Sequence, residues 1–274
     1  MSKLKLPLPN EEPSTLTIDI SHCIQSRDFE AGSAYNVFLD GQKSLIRIAN
    51  HDKNNLQTIL LLTLGLSSLI EHYFRSVISM AVLLCRQSRG DALKTAKISL
   101  AAANYYKDVN LGRAIFDSVN FSDKSIIAEQ TSDFLGINLL GKGAPDGIKT
   151  ALDDLQKIFI LRHAVVHANG FLSPKNLIAL QFPCNATAAV SSSYESFENM
   201  VAVALNSIQS YNSHLFRCLI QRAYSNKHIT FNGCDDDLGE FEKYWSTFLG
   251  GDCPETATDS LSNYAKAKAY FSQA

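Results

Sequence analysis

The stretch Asn54–Cys85, NNLQTILLLTLGLSSLIEHYFRSVISMAVLLC, decides the fold class. It is the most apolar run in the chain, and a run of this kind is buried either in lipid or in a protein core. A membrane span needs roughly 20 uninterrupted apolar residues. Residues 54–70 carry no charge, but they hold Asn, Gln, Thr, Ser and Gly, and Glu71, His72 and Arg75 then break the run. The segment reads as one long, deeply buried helix from near Asn54 to near Gly90, with a kink expected at Gly65.

Four further helices follow from apolar spacing and end signals. Residues 30–49 place Val37, Phe38, Leu45, Ile46 and Ile48 on a first helix. A shorter helix is expected from Asp91, read as its cap, to about Tyr106. Residues 146–168 form a striped helix that Pro145 and Asp146 introduce and Asn169–Gly170 stops. Ser192 to about Tyr224 is another long helix, carrying Phe197, Val201, Leu205, Ile208, Tyr211, Leu215 and Leu219. Strand signals are confined to Leu16–Ile20, which alternates, and to Asn176–Phe182, a short strand or extended loop. The expected fold is mostly α: a helical bundle over residues 30–226, preceded by a short extended segment at 1–29 and followed by an extension at 227–274 packed on the same domain.

Composition narrows the function. The 274 residues are 46% apolar and 19% charged, which excludes a mainly disordered chain. The net charge of −2 excludes a basic protein that coats nucleic acid, so any RNA contact must be local. The six cysteines contain no C-x-x-C pair and have irregular spacings, which suits a reduced, cytoplasmic protein without a structural zinc site. Residues 1–20 contain Pro7, Pro9 and Pro13 and no long apolar core, so no signal peptide is expected. The run Asp235–Asp237 reads as a solvated loop before it reads as a cation site.

The chemistry is concentrated in LQKIFILRHAVVHANGF, residues 155–171. Arg162, His163, His167 and Asn169 stand in or beside an otherwise apolar segment, where polar groups need partners or a function. Arginine offers a fixed fork of donors to phosphate oxygens, and histidine gives or takes a proton near neutral pH. Spacing alone is weak evidence, because Arg222 and His228 form a second pair of similar separation. Context distinguishes the first: an apolar helix, a polar residue after the arginine, and Asn-Gly after the second histidine.

This segment resembles the signature of the HEPN superfamily: Arg, a polar residue, a few residues, then His, read here as Arg162-His163-Ala164-Val165-Val166-His167. The approach Leu152-x-x-Leu155-x-x-Ile158 looks like the helix that carries the motif. SLIEHYFRSVI, residues 68–78, looks like the long second helix of HEPN ribonucleases, with Glu71 at the acidic position that faces the motif. The resemblance covers roughly residues 30–222 and is closest at 152–171. It implies a homodimeric, metal-independent endoribonuclease without cofactor, in a toxin–antitoxin or antiviral defence setting. His167 would act as acid or base, Arg162 would stabilise charge on phosphate, and His163, Asn169 and Glu71 would support them. One HEPN subgroup carries a tyrosine two positions after the histidine; here that position is Asn169, so pairing with a nucleotidyltransferase antitoxin is not implied.

Plainer readings stand beside this one. Arg162 could simply pair with Glu71, and His167 could be a helix-end histidine favoured by the macrodipole. His163 and His167, four apart, could share a zinc ion, but no Glu follows His163 and no third ligand is evident. The chain could also be a non-catalytic HEPN-like module that binds a partner protein or nucleotide, or a regulatory subunit. Arg86, Arg89, Lys94, Lys97, Lys142, Lys149 and Lys157 are too dispersed in sequence to define an RNA groove, and no base-stacking platform is identifiable.

Overall fold

A computed structural model describes residues 20–25, 33–106, 111–183, 187–251 and 259–273. The chain divides into two units, residues 1–30 and 31–274. In the first, Ile20–Cys23 is a single 3-10 turn; the alternating residues 16–19 lie outside the described residues.

The second unit is a mostly α helical bundle of eleven α-helices among the described residues. Helix α1 (Ala34–His51) starts at Ser33, whose hydroxyl accepts from the Asn36 amide at 3.2 Å. After a short turn, α2 (Leu56–Leu84) starts at Asn55, whose side chain accepts from Thr58 N–H at 3.2 Å. Such caps satisfy amides that have no partner within the helix. The two helices approach closely at glycines. A Cβ on Gly41 would stand 2.6 Å from the Leu69 side chain, and one on Gly65 would stand 3.1 Å from that of Leu45. Gly65 therefore serves packing, and α2 runs unbroken through it.

Instead of a kink at Gly65 and an end near Gly90, the helix breaks at Cys85, where the backbone is extended and α3 (Arg86–Thr95) departs at 105° to α2. Asp91 lies inside α3 rather than capping the next helix, α4 (Leu100–Tyr106). Helices α5 (Leu111–Ile115) and α6 (Lys124–Leu135) follow, and α6 ends at Gly136 in the left-handed region at φ +62°. Among the described residues no single helix is long and apolar enough to cross a membrane; α2 and α3 meet that measure only as a bent pair.

Helix α2 is the hub. It packs against α1, α6, α7 (Asp146–His167) and α9 (Tyr194–Ser225), and its Leu66, Ile70, Tyr73, Phe74 and Val77 are fully buried. Burying side chains of this size stabilises by about 1.5–3 kcal/mol each. The Tyr73 hydroxyl donates to Asn212 Oδ1 on α9 at 3.1 Å, and Asn212 Nδ2 donates to the Phe248 carbonyl at 2.7 Å.

Between α7 and α9 the chain forms β1 (Phe171–Leu172), α8 (Pro174–Ala179) and β2 (Ala188–Ala189), with β1 and β2 antiparallel. The segment 176–182, read above as strand or extended loop, instead begins inside a helix. Ser173 caps it and Pro174 opens it, and the fixed φ of proline suits a first helical turn.

The acidic run Asp235–Asp237 opens α10 (Asp235–Phe248), where negative charge favours the helix N-terminus. It is not a solvated loop throughout, because Asp237 is buried. Asp237 accepts from Thr230 N–H at 2.6 Å and from the Tyr264 hydroxyl of α11 (Ser260–Ser272) at 2.5 Å. Trp245 of α10 stacks on Phe241 with ring centroids 5.8 Å apart.

Candidate functional site

The site is built at the C-terminal end of α7. Leu152, Leu155, Ile158 and Phe159 form the buried stripe of this helix. Arg162 lies three residues beyond Phe159 and four beyond Ile158, so it continues that stripe at the rim of the core. There its guanidinium meets α2: Nη2 stands 3.9 Å from Glu71 Oε1, with the two side chains 28% and 17% exposed. At 3.9 Å the contact is an ion pair without a short hydrogen bond.

His163 and His167 lie one turn apart on the next face and are exposed. Their rings are 4.6 Å apart between centroids. His167 sits in the last turn, where the helix dipole favours a cation. No hydrogen bond or ion pair joins Arg162 to His167 among the described residues. Residues five apart on a helix differ by about 140°, so the two side chains leave α7 in different directions. Among the described residues no group of three or more His, Cys, Asp or Glu is placed to hold a metal ion.

The helix stops as the Asn-Gly pair requires. Asn169 adopts φ +49° and Gly170 φ +86°, and the Gly170 amide donates to the Ala164 carbonyl at 2.9 Å. Asparagine tolerates the left-handed region better than most residues. The Asn169 carboxamide itself makes no hydrogen bond among the described residues, so its evident work is to turn the chain into β1.

Two clefts adjoin His163. A recess of about 400 Å3 between the end of α7, β1 and the start of α8 is lined by His163, Phe171, Lys175 and Asn176 among others. A larger cleft of about 790 Å3 runs from there along α7 to the start of α6, and includes Lys124, Asp153, Asp154 and Lys157. Within it Lys124 pairs with Asp153, and Lys157 pairs with Asp154 at 2.7 Å. Lys94 and Lys149 are likewise paired, with Asp91 and Asp146. Three of the seven basic residues singled out in the sequence, Lys94, Lys149 and Lys157, thus pair with nearby aspartates. Phe171, Lys175 and Asn176 were not among the sequence candidates; the Ser173–Pro174 signal marks a helix start beside them, and only the folded chain brings them to His163.

The second Arg–His pair has a structural role for its arginine. Arg222 Nη1 donates to Ser88 Oγ at 3.3 Å and to Cys85 Sγ at 3.7 Å, bracing the α2–α3 turn against α9. Burial alone would raise the Cys85 thiol, but hydrogen bonding with Ser88 and the charge of Arg222 outweigh it and hold the thiol below its ordinary value.

Compared with protein-family models, curated proteins and solved structures, the chain gave no match.

Proposed function

We propose that this chain is a metal-independent endoribonuclease of the HEPN type, acting in the cytoplasm within a toxin–antitoxin or phage-defence system. The observation that carries the reading is the end of α7, where Arg162 pairs with Glu71, His163 lines an open cleft, and the exposed His167 ring lies 4.6 Å from that of His163. A guanidinium and an imidazole are the groups that transfer of an RNA phosphate needs. The 2′-hydroxyl attacks the adjacent phosphorus as its proton leaves to a base. The 2′-O–P bond forms, the P–O5′ bond breaks, and the 5′-oxygen takes a proton, leaving a 2′,3′-cyclic phosphate and a 5′-hydroxyl. His167 exchanges protons, Arg162 stabilises charge on the phosphate oxygens, and His163 positions His167. Because Arg162 and His167 diverge on one helix, a homodimer, or a heterodimer with a related chain, would let the arginine of one copy meet the histidine of the other across an isologous interface.

The test is cleavage of RNA by the purified protein. Arg162→Ala and His167→Ala each lower the rate by about a hundredfold or more, and EDTA leaves it unchanged. Cleavage that survives either substitution, or that EDTA stops, overturns the mechanism.

The Arg162–Glu71 pair also favours a second reading, in which it is a structural tie and the chain is a non-catalytic HEPN-like module or regulatory subunit that binds a partner. Cells that grow equally when expressing the wild type or His167→Ala would favour that reading.

A further inference from the structure

The recess beside His163 has a composition that the acid–base reading does not use. Phe171, on the two-residue strand β1, leaves 53% of its surface exposed. An exposed aromatic ring lining a concavity forgoes burial that the core could have offered it. Lys175 and Asn176 of α8 line the same recess. Lys175 is exposed and makes no ion pair among the described residues, unlike Lys124 and Lys157 in the adjoining cleft, which are matched by aspartates. The Asn176 carboxamide makes no hydrogen bond among the described residues; only its backbone is engaged, with Ser173 and Leu180. A ring face, an unpaired cation and a free amide thus converge on a space of about 400 Å3, within the usual range of small-ligand pockets.

These three groups match three features of a nucleotide: the face of its base, the edge of its base and its phosphate. A base stacks on an aromatic face, a phosphate takes a lysine, and an amide can give and accept at a base edge. A base within a duplex has neither face free, so only an unpaired nucleotide can use the ring. We propose that Phe171, Lys175 and Asn176 form a subsite for one unpaired nucleotide, with its base on the Phe171 ring, its phosphate at Lys175 and its base edge at the Asn176 carboxamide. The assignment rests on the RNA reading above. His163 lines the recess as well, so the subsite would hold the strand next to the motif. Stacking is indifferent to base identity, so what base preference there is comes from Asn176.

The experiment uses the full chain and a fluorescent, uncleavable 2′-O-methyl oligoribonucleotide of mixed sequence, offered as a single strand and as a duplex, with affinity read by anisotropy. The wild type binds the single strand more tightly than the duplex. Phe171→Ala weakens single-strand binding roughly tenfold, whereas Phe171→Tyr keeps it. Lys175→Ala weakens binding and lowers the slope of log K against log salt by about one. Asn176→Ala levels affinities among homopolymer single strands. Circular dichroism of each variant reports a retained fold. Unchanged affinity in Phe171→Ala, or equal binding of single strand and duplex, overturns the subsite. His167-dependent cleavage of unmodified RNA, measured in parallel, separates the two ideas. Cleavage with Phe171-independent binding overturns the subsite alone, and Phe171-dependent binding without cleavage supports the subsite and removes the nuclease. Neither binding nor cleavage overturns both.

Discussion

Arg162 on α7 and Glu71 on α2 face each other across 3.9 Å, so the motif helix is tied to the most deeply buried helix of the bundle through one ion pair. The pair is partly open to solvent, and such pairs contribute about 0–1 kcal/mol. Glu71→Gln should therefore leave urea unfolding within about 1 kcal/mol of the wild type. If Glu71 positions Arg162 for phosphate, the same variant cleaves RNA more slowly while retaining its fold. Full activity in Glu71→Gln would reduce the pair to a tie.

Asn169 separates turn chemistry from site chemistry. Its φ of +49° suits glycine at least as well as asparagine. Asn169→Gly should unfold at a similar urea concentration, and Asn169→Val should be less stable by about 1–2 kcal/mol. RNA cleavage that survives Asn169→Gly would assign Asn169 to the turn; loss of cleavage in a stable Asn169→Gly protein would assign it to the site.

The buried relay from Tyr73 through Asn212 to the Phe248 carbonyl joins α2, α9 and the end of α10. Tyr73→Phe leaves Asn212 Oδ1 without its donor and should cost about 1–2 kcal/mol. Asn212→Ala strands the Tyr73 hydroxyl and the Phe248 carbonyl and opens a cavity, so it should cost more, about 2–4 kcal/mol. Denaturant titration of both variants tests the order; a costlier Tyr73→Phe would contradict it.

Asp237 makes stability sensitive to acid. Burial pushes its carboxyl up, but the Tyr264 hydroxyl and the amides of Thr230 and Phe231 outweigh burial and hold it below the ordinary carboxylate range. A depressed carboxyl means that the unfolded chain binds the proton first. The contribution is therefore present above the ordinary carboxylate value and is lost as pH falls through the lower folded value. Asp237→Asn should lose about 1–3 kcal/mol at neutral pH and show a flatter stability profile between about pH 5 and pH 3. A profile that matches the wild type would remove Asp237 from the link between α10 and α11.

Much of the bundle is written locally. Helices α1, α7 and α9 have apolar stripes and terminal residues that act within a few positions of themselves. Ser193 caps α9, and Asn169–Gly170 stops α7 because both residues tolerate positive φ. The same locality put Arg162, His163 and His167 on one helix end. It misled at 176–182, read as a strand or extended loop although Ser173–Pro174 is a helix start, and at Asp235–Asp237, where three charges looked solvated.

What the sequence by itself determined is thus the helical class, the placement of the motif at a helix terminus and a net charge of −2. Only the tertiary structure decided that Gly65 is a contact with Leu45 and not a kink, that the chain turns at Cys85, that Arg162 meets Glu71, and that Phe171, Lys175 and Asn176 share one recess with His163. The physical reason is range. Helix stripes and caps depend on neighbours within a turn or two, whereas a glycine's close approach, an ion pair across 91 positions of sequence (162 against 71) and a cleft between elements depend on which faces the core brings together.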